Sequence, residues 1–196
     1  MISLLRRGVT PLAGRRLQSI SAAMRVSSEC SCPATVQVVS IDASSKALVC
    51  NHEFAAGEPI FQFTGVLQRM PSRYSVAVAR DAHLIGGDDS MWWEYLNHSF
   101  SPTIRVAHDP IAAFSSPPPI MSVTAAQDLE PGTMLTFDYT LHEWDMAEPF
   151  TCVETGRQCG GFLHLSDSEK DEALPRAMPH IRSLHLQHLF GQSSRC

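Results

Sequence analysis

The stretch Met91–Pro102, MWWEYLNHSFSP, constrains this chain more than any other. Two Trp, a Tyr and a Leu run directly into Asn97-His98-Ser99. Large apolar side chains belong in a core. A polar triplet that follows them without a spacer must find partners or line a site. About thirty residues on lies a second unusual run, Asp128–Thr140, DLEPGTMLTFDYT: a Pro-Gly turn, a strand, and Tyr139 at the strand's end. The expectation is that the two runs meet in space.

The rest of the chain reads as short strands broken by turns. Residues 35–41 (TVQVVSI), 47–50, 59–67 (PIFQFTGVL), 74–79 (YSVAVA), 103–107, 120–125 and 135–137 are β-branched or alternating and bounded by turn residues. In 59–67, Phe61, Phe63 and Val66 are expected on one face. Trp92–Leu96 reads as one short helical turn. Asp81–Asp89 reads as a short strand running into a tight turn, its acidic residues solvated. Many strands and little helical periodicity predict a mainly β fold of small sheets. After Phe162 the composition turns helical: Ser166–Phe190 has a capping signal in Ser166 and Glu169 and is broken by Pro175 and Pro179.

The formal net charge is −5 and the pI near 6.0, which argues against nucleic-acid binding through bulk charge, so no direct nucleic-acid partner is expected. No apolar run is long enough to span a bilayer, so no membrane partner is expected either. Six scattered Cys do not form a secreted disulfide scaffold. Residues 1–28 stand apart, with five Arg and no acidic residue. That composition fits an organelle transit peptide and equally a basic tail. Cys30 and Cys32 read as free thiols, with no second pair nearby to complete a metal site.

Leu96-Asn97-His98-Ser99, followed at this distance by LEPGTMLTFDYT, resembles a SET domain, the β-rich fold of protein-lysine methyltransferases. The Phe54–Ile60 turn is similar as well, and the resemblance covers about residues 35–185. It implies a SET domain over 35–140, a post-SET-like segment over 141–165 and a helical tail over 166–196, after the basic segment 1–28. It implies S-adenosylmethionine as cofactor and a protein or peptide lysine, histone or non-histone, as substrate. Family habit points to the nucleus, whereas residues 1–28 point to a mitochondrion or plastid.

The chemistry asks for such residues. Methyl transfer from a sulfonium to an amine is an in-line displacement, so aligning the reactants and excluding water carry much of the effect. A free lysine has a pKa of about 10.4, and a narrow aromatic channel favours the neutral amine by desolvation. By the resemblance, Tyr139 is the catalytic residue, its hydroxyl near the transferred methyl. Asn97 holds the amino-acid end of the cofactor, and His98 meets the adenine mainly through its backbone. Phe137 sizes the substrate channel and favours di- or trimethylation over a single transfer. Taken singly, His98 reads as a hydrogen-bonded core histidine, Tyr139 as a strand aromatic, and Asn97-His98-Ser99 as a glycosylation sequon.

Two departures from the family pattern stand out. Where relatives carry Gly-x-Gly, this chain reads Ser45-Lys46-Ala47-Leu48. Where relatives carry a zinc-binding Cys after Asn-His-Ser, it has Phe100, and of the downstream set only Cys152 and Cys159 remain. Two thiolates do not close a zinc site, so no metal is expected and apolar packing by Phe100 is expected instead. The alternative to an enzyme is a catalytically inactive SET-fold module that binds a peptide in the same groove.

Overall fold

The computed structural model describes residues 32–193, apart from 44, 88–90, 112, 113, 115 and 116. The basic segment 1–28 and Cys30 lie outside the described residues. In chain order the strands are β1 (Val36–Ser40), β2 (Lys46–Cys50), β3 (Pro59–Phe63), β4 (Val66–Gln68), β5 (Val76–Ala79), β6 (Ala82–Ile85), β7 (Asn97–His98), β8 (Ile104–Ala107), β9 (Met121–Ala125), β10 (Thr136–Phe137), β11 (Phe150–Thr151) and β12 (Gln158–Cys159). Two helices follow, α1 (Asp167–Ala173) and α2 (Pro179–Ser193). The fold is mainly β, built from small sheets with a short helical tail, as the strand pattern predicts.

Most pairings are antiparallel: β1 with β2, β11 with β12, and two three-stranded sheets ordered β3-β9-β8 and β4-β6-β5. The exception is β7, which pairs with β10 in parallel, Asn97 opposite Thr136 and His98 opposite Phe137. Isolated bridges from Val49 to Met134 and from Phe54 to Leu129 tie the Asp128–Thr140 run to the first third of the chain.

The single strand expected over 59–67 is two strands in different sheets. At the break, the Trp93 Nε1–H donates to the Thr64 carbonyl (3.2 Å). Gly65 lies so close to the Ile85 carbonyl that a Cβ would meet it at 2.1 Å. The chain turns there, and Val66 is exposed instead of sharing the buried face of Phe61 and Phe63. The short strand expected at the start of 81–89 is β6, the central strand of its sheet, with Ala82, His83 and Leu84 buried.

The main core gathers both three-stranded sheets around the Trp92-Trp93 turn. Phe63 stacks on Trp93 at 4.5 Å between ring centroids, and Phe61 meets Trp92 edge-on at 5.0 Å, offset and edge geometries that suit aromatic quadrupoles. Met91–Tyr95 forms the expected single turn, and the Leu96 N–H closes it on the Trp93 carbonyl (3.0 Å).

A second cluster joins the tail to residues 141–165: Phe162, Ala173, Ala177, Met178 and Ile181 pack with Leu141 and Trp144. Gly161 makes that approach possible. Its φ is +100°, and a Cβ would sit 2.8 Å from the Trp144 carbonyl and 2.9 Å from that of Glu143. Leu174, before Pro175, ends α1, and Pro179 opens α2 at the position where its missing N–H is harmless.

Candidate functional site

The parallel β7–β10 pair brings the two conspicuous runs together. The Asn97 N–H donates to the Leu135 carbonyl (3.4 Å) and the Ser99 N–H to the Phe137 carbonyl (3.2 Å). The Leu135 N–H donates in turn to the Leu48 carbonyl of β2 (2.8 Å). Alternation along a strand then turns the N–H and C=O of His98 away from β10. Among the described residues β7 pairs with no other strand, so this edge of the His98 backbone has no strand partner.

On this side, the Asn97 side chain donates through Nδ2 to the Lys46 carbonyl (3.1 Å) and to the Tyr95 carbonyl (3.4 Å). Among the described residues no hydrogen bond reaches its Oδ1, which leaves one strong acceptor open. The segment without Gly-x-Gly therefore meets Asn97 through a backbone carbonyl. Its own side chains point elsewhere. Ala47 packs with Val39 and Val49, Leu48 enters the main core, and Lys46 lies 5.0 Å over the Tyr95 ring.

Tyr139 opens a short 3-10 turn, Tyr139–Leu141, capped by Asp138, whose Oδ1 accepts from the Thr140 N–H (3.0 Å) and hydroxyl (2.7 Å). Burial pushes the Asp138 carboxyl up. The Tyr139 N–H donates to His98 Nδ1 (3.2 Å), and the Tyr139 hydroxyl donates to the Leu96 carbonyl (2.6 Å). Burial, reinforced by nearby Cys159 and Glu143, pushes the phenol well above its usual range, so the hydroxyl keeps its proton. The rings of His98 and Phe137 lie 5.2 and 4.7 Å from that of Tyr139. All four residues singled out in the sequence, Asn97, His98, Phe137 and Tyr139, thus form one cluster.

His98 is neutral. Desolvation, with a smaller contribution from Arg157, lowers its pKa to about 4 against the opposing pull of Glu154. Its Nε2 is buried without a protein partner. The ring sits among Phe100 (4.5 Å), Phe150 (5.5 Å) and Tyr139.

Phe100 is half-buried, and its ring meets the edge of the His98 imidazole instead of joining an apolar cluster. The Arg157 guanidinium lies 3.9 Å over the Phe100 ring and pairs with Glu169. A cation–π contact thus joins β7 to the β11–β12 hairpin. Cys152 and Cys159 are buried free thiols; Cys159 Sγ lies 4.0 Å from His98 Nδ1, and burial pushes its pKa up to about 12.

Beside Tyr139 a small cleft opens, with a volume of about 50 Å³. Phe137, Tyr139, Leu96, Glu94, Glu143 and Met146 contribute to its walls, and residues 71–76 form a rim. Sequence reasoning missed Glu143 and Glu94. Each carboxylate accepts a backbone N–H at 2.7 Å, Glu143 from Ala77 and Glu94 from Gly86. These partners are 66 and 8 residues away, in a different sheet and across a turn, and no local pattern marks them.

No protein-family model matches the chain. A curated protein, the methyltransferase flvH of Aspergillus flavus, is 32% identical over 92 residues, 46% of this chain and 47% of its own length. This chain therefore spans about half the length of that relative. Among solved structures, KRYPTONITE in complex with mCHH DNA, an H3(1–15) peptide and SAH aligns over 60% of this chain and 27% of its own, at 19% identity and a TM-score of 0.47. PFL0690c of Plasmodium falciparum aligns over 53% of this chain and 96% of its own, at 15% identity and a TM-score of 0.42.

Proposed function

We propose that this chain is a SET-type N-methyltransferase that uses S-adenosylmethionine and acts on a lysine side chain of a protein or peptide. One observation carries the reading: the parallel β7–β10 pair gathers Asn97, His98, Phe137 and Tyr139, with the Tyr139 hydroxyl fixed on the Leu96 carbonyl and Phe137 and Tyr139 lining a cleft. The flvH similarity supports it.

The residues present fit the cofactor. The open Asn97 Oδ1 suits the ammonium of its amino-acid end. The outward N–H and C=O of His98 suit the donor and acceptor of an adenine edge. When bound, S-adenosylmethionine supplies an electrophilic methyl group. Tyr139 presents a neutral, immobilised hydroxyl whose proton is committed to Leu96, leaving oxygen lone pairs to orient an incoming amine. Phe137 offers no hydroxyl beside that position, which leaves room for a bulkier, already methylated amine.

Calorimetric titration of the full chain with S-adenosylmethionine tests this. Binding at about micromolar Kd, lost in Asn97→Ala, is the expected result. No saturation at millimolar cofactor overturns it and leaves the second reading, a SET-fold peptide binder. The Asn97 amide supports that second reading, since its donors are already taken by Lys46 and Tyr95.

A further inference from the structure

The cleft beside Tyr139 holds a group that the roles of Asn97, His98, Phe137 and Tyr139 leave unused, the Glu143 carboxylate. Its position is fixed from both ends of the residue. The Glu143 N–H donates to the Tyr139 carbonyl (2.8 Å), and its own carbonyl accepts the Phe162 N–H (2.8 Å). The Oε1 atom accepts the Ala77 N–H at 2.7 Å. Among the described residues nothing binds Oε2, and that atom is not sealed in the core. Glu143 is half-buried and lines the cleft together with Phe137, Tyr139 and Met146.

We propose that Glu143 is the ammonium-binding group of this cleft, its Oε2 receiving a primary alkylammonium whose stem lies along Phe137, Tyr139 and Met146. Three physical features converge on that ligand. A desolvated carboxylate makes its strongest bonds to a cation, in charge-assisted geometry. Aromatic faces beside it add cation–π attraction. Burial pushes the Glu143 carboxyl up to about 7, a cost that an arriving cation relieves. Glu94 and Glu148 line the same cleft with the same sign, against one opposing charge at the rim, Arg73, whose guanidinium lies 5.8 Å over the Tyr74 ring. That the alkylammonium is a lysine side chain rests on the proposed function; that the cleft takes an alkylammonium rests on the geometry alone.

The test uses n-butylammonium chloride as probe and n-butanol as its neutral counterpart, both titrated into the full chain and followed by saturation-transfer NMR. Glu143→Gln keeps the bond to the Ala77 N–H and removes the charge. Asp145→Asn removes a charge two residues away, on a side chain that is exposed and paired with His164 outside the cleft. The expected result is saturable butylammonium binding stronger than that of butanol. It weakens at least tenfold in Glu143→Gln and stays within twofold in Asp145→Asn. Equal binding of butylammonium and butanol overturns the proposal, as does a Glu143→Gln protein that binds butylammonium like wild type. S-adenosylhomocysteine is titrated into the same samples. Butylammonium binding without S-adenosylhomocysteine binding keeps the ammonium site and removes the methyl-transfer reading. The reverse outcome keeps methyl transfer and removes the ammonium site.

Discussion

At the scale of single residues, Tyr139 concentrates the most information. Its hydroxyl is the only donor shown for the Leu96 carbonyl, so Tyr139→Phe leaves a half-buried acceptor unpaired, at a cost of about 1–3 kcal/mol. A structural role predicts only that loss, visible as a lower Tm. A catalytic role predicts more: turnover per folded molecule falls by roughly 100-fold, with S-adenosylhomocysteine affinity within a few-fold of wild type. Full turnover in folded Tyr139→Phe would remove Tyr139 from the chemistry. Tyr139, Asn97 and His98 were legible in the sequence because each belongs to a contiguous run whose order carries the information. Glu143 was not. A lone Glu four residues past a Tyr has no period and no motif, and its meaning comes from Ala77, a residue of β5 that only the folded chain brings near. Phe100 falls between the two. Its ring contact with nearby His98 is local, whereas the Arg157 guanidinium above it depends on the β11–β12 hairpin folding back.

At the scale of elements, the α1 terminus was written in the sequence. The Ser166 hydroxyl accepts the Glu169 N–H (3.4 Å), and Glu169 Oε2 accepts from the Ser166 N–H (2.8 Å) and hydroxyl (2.7 Å). Ser166→Ala removes the cap, with a cost of about 1 kcal/mol. Because α1 reaches the second cluster mainly through Ala173, the loss is expected locally. Amide exchange of residues 167–170 should quicken roughly fivefold, while exchange in β8 and β9 stays unchanged. A uniform acceleration across the chain would show instead that α1 unfolds only with the whole molecule. The split between β3 and β4 was illegible for the opposite reason. Alternation ran smoothly through Thr64-Gly65, and the turn is imposed by Trp93 and by Ile85, partners distant in sequence. For α2, composition predicted a helix but not its seat: Ile181 is buried while Leu186, Leu189 and Phe190 are exposed, so its apolar residues do not form one stripe.

At the scale of the whole molecule, buried ionisable groups set a pH dependence of two opposing signs. His142 is buried, and desolvation, helped by neighbouring His180 and His108, holds its pKa down to about 3; His180 and His98 are held to about 4. His142, His180 and His108 meet where α2 packs on the strands. His180 Nε2 bonds the His142 carbonyl at 2.7 Å, and the His108 and His180 rings stack at 6.4 Å. His83 adds to the cluster with its pKa lowered by burial against the pull of Asp81. A histidine whose folded pKa lies below its unfolded value leaves the unfolded state binding more protons. Its contribution is complete above about pH 6.5 and is lost as pH falls below it; for His98, His142 and His180 that loss is about 2 kcal/mol each at pH 5. Glu143 acts in the other direction. Its folded pKa is raised to about 7, so the folded state binds the extra proton and stability declines as pH rises from about 4.5 to 7. Asp138 and Glu94, likewise raised by burial, act in the same direction as Glu143. The three strongly lowered histidines carry the larger weight, so Tm is expected to fall from pH 7 to pH 5, with α2 the first element to lose exchange protection. Glu143→Gln removes the Glu143 part of the opposing contribution alone. Its Tm should therefore exceed that of wild type at pH 8 and converge with it towards pH 4.5. A Tm difference independent of pH would mean that Glu143 titrates like an exposed carboxylate and that the cleft is wetter than its walls imply. Thermal melts of both proteins from pH 4.5 to 8 decide this, and they need neither cofactor nor substrate.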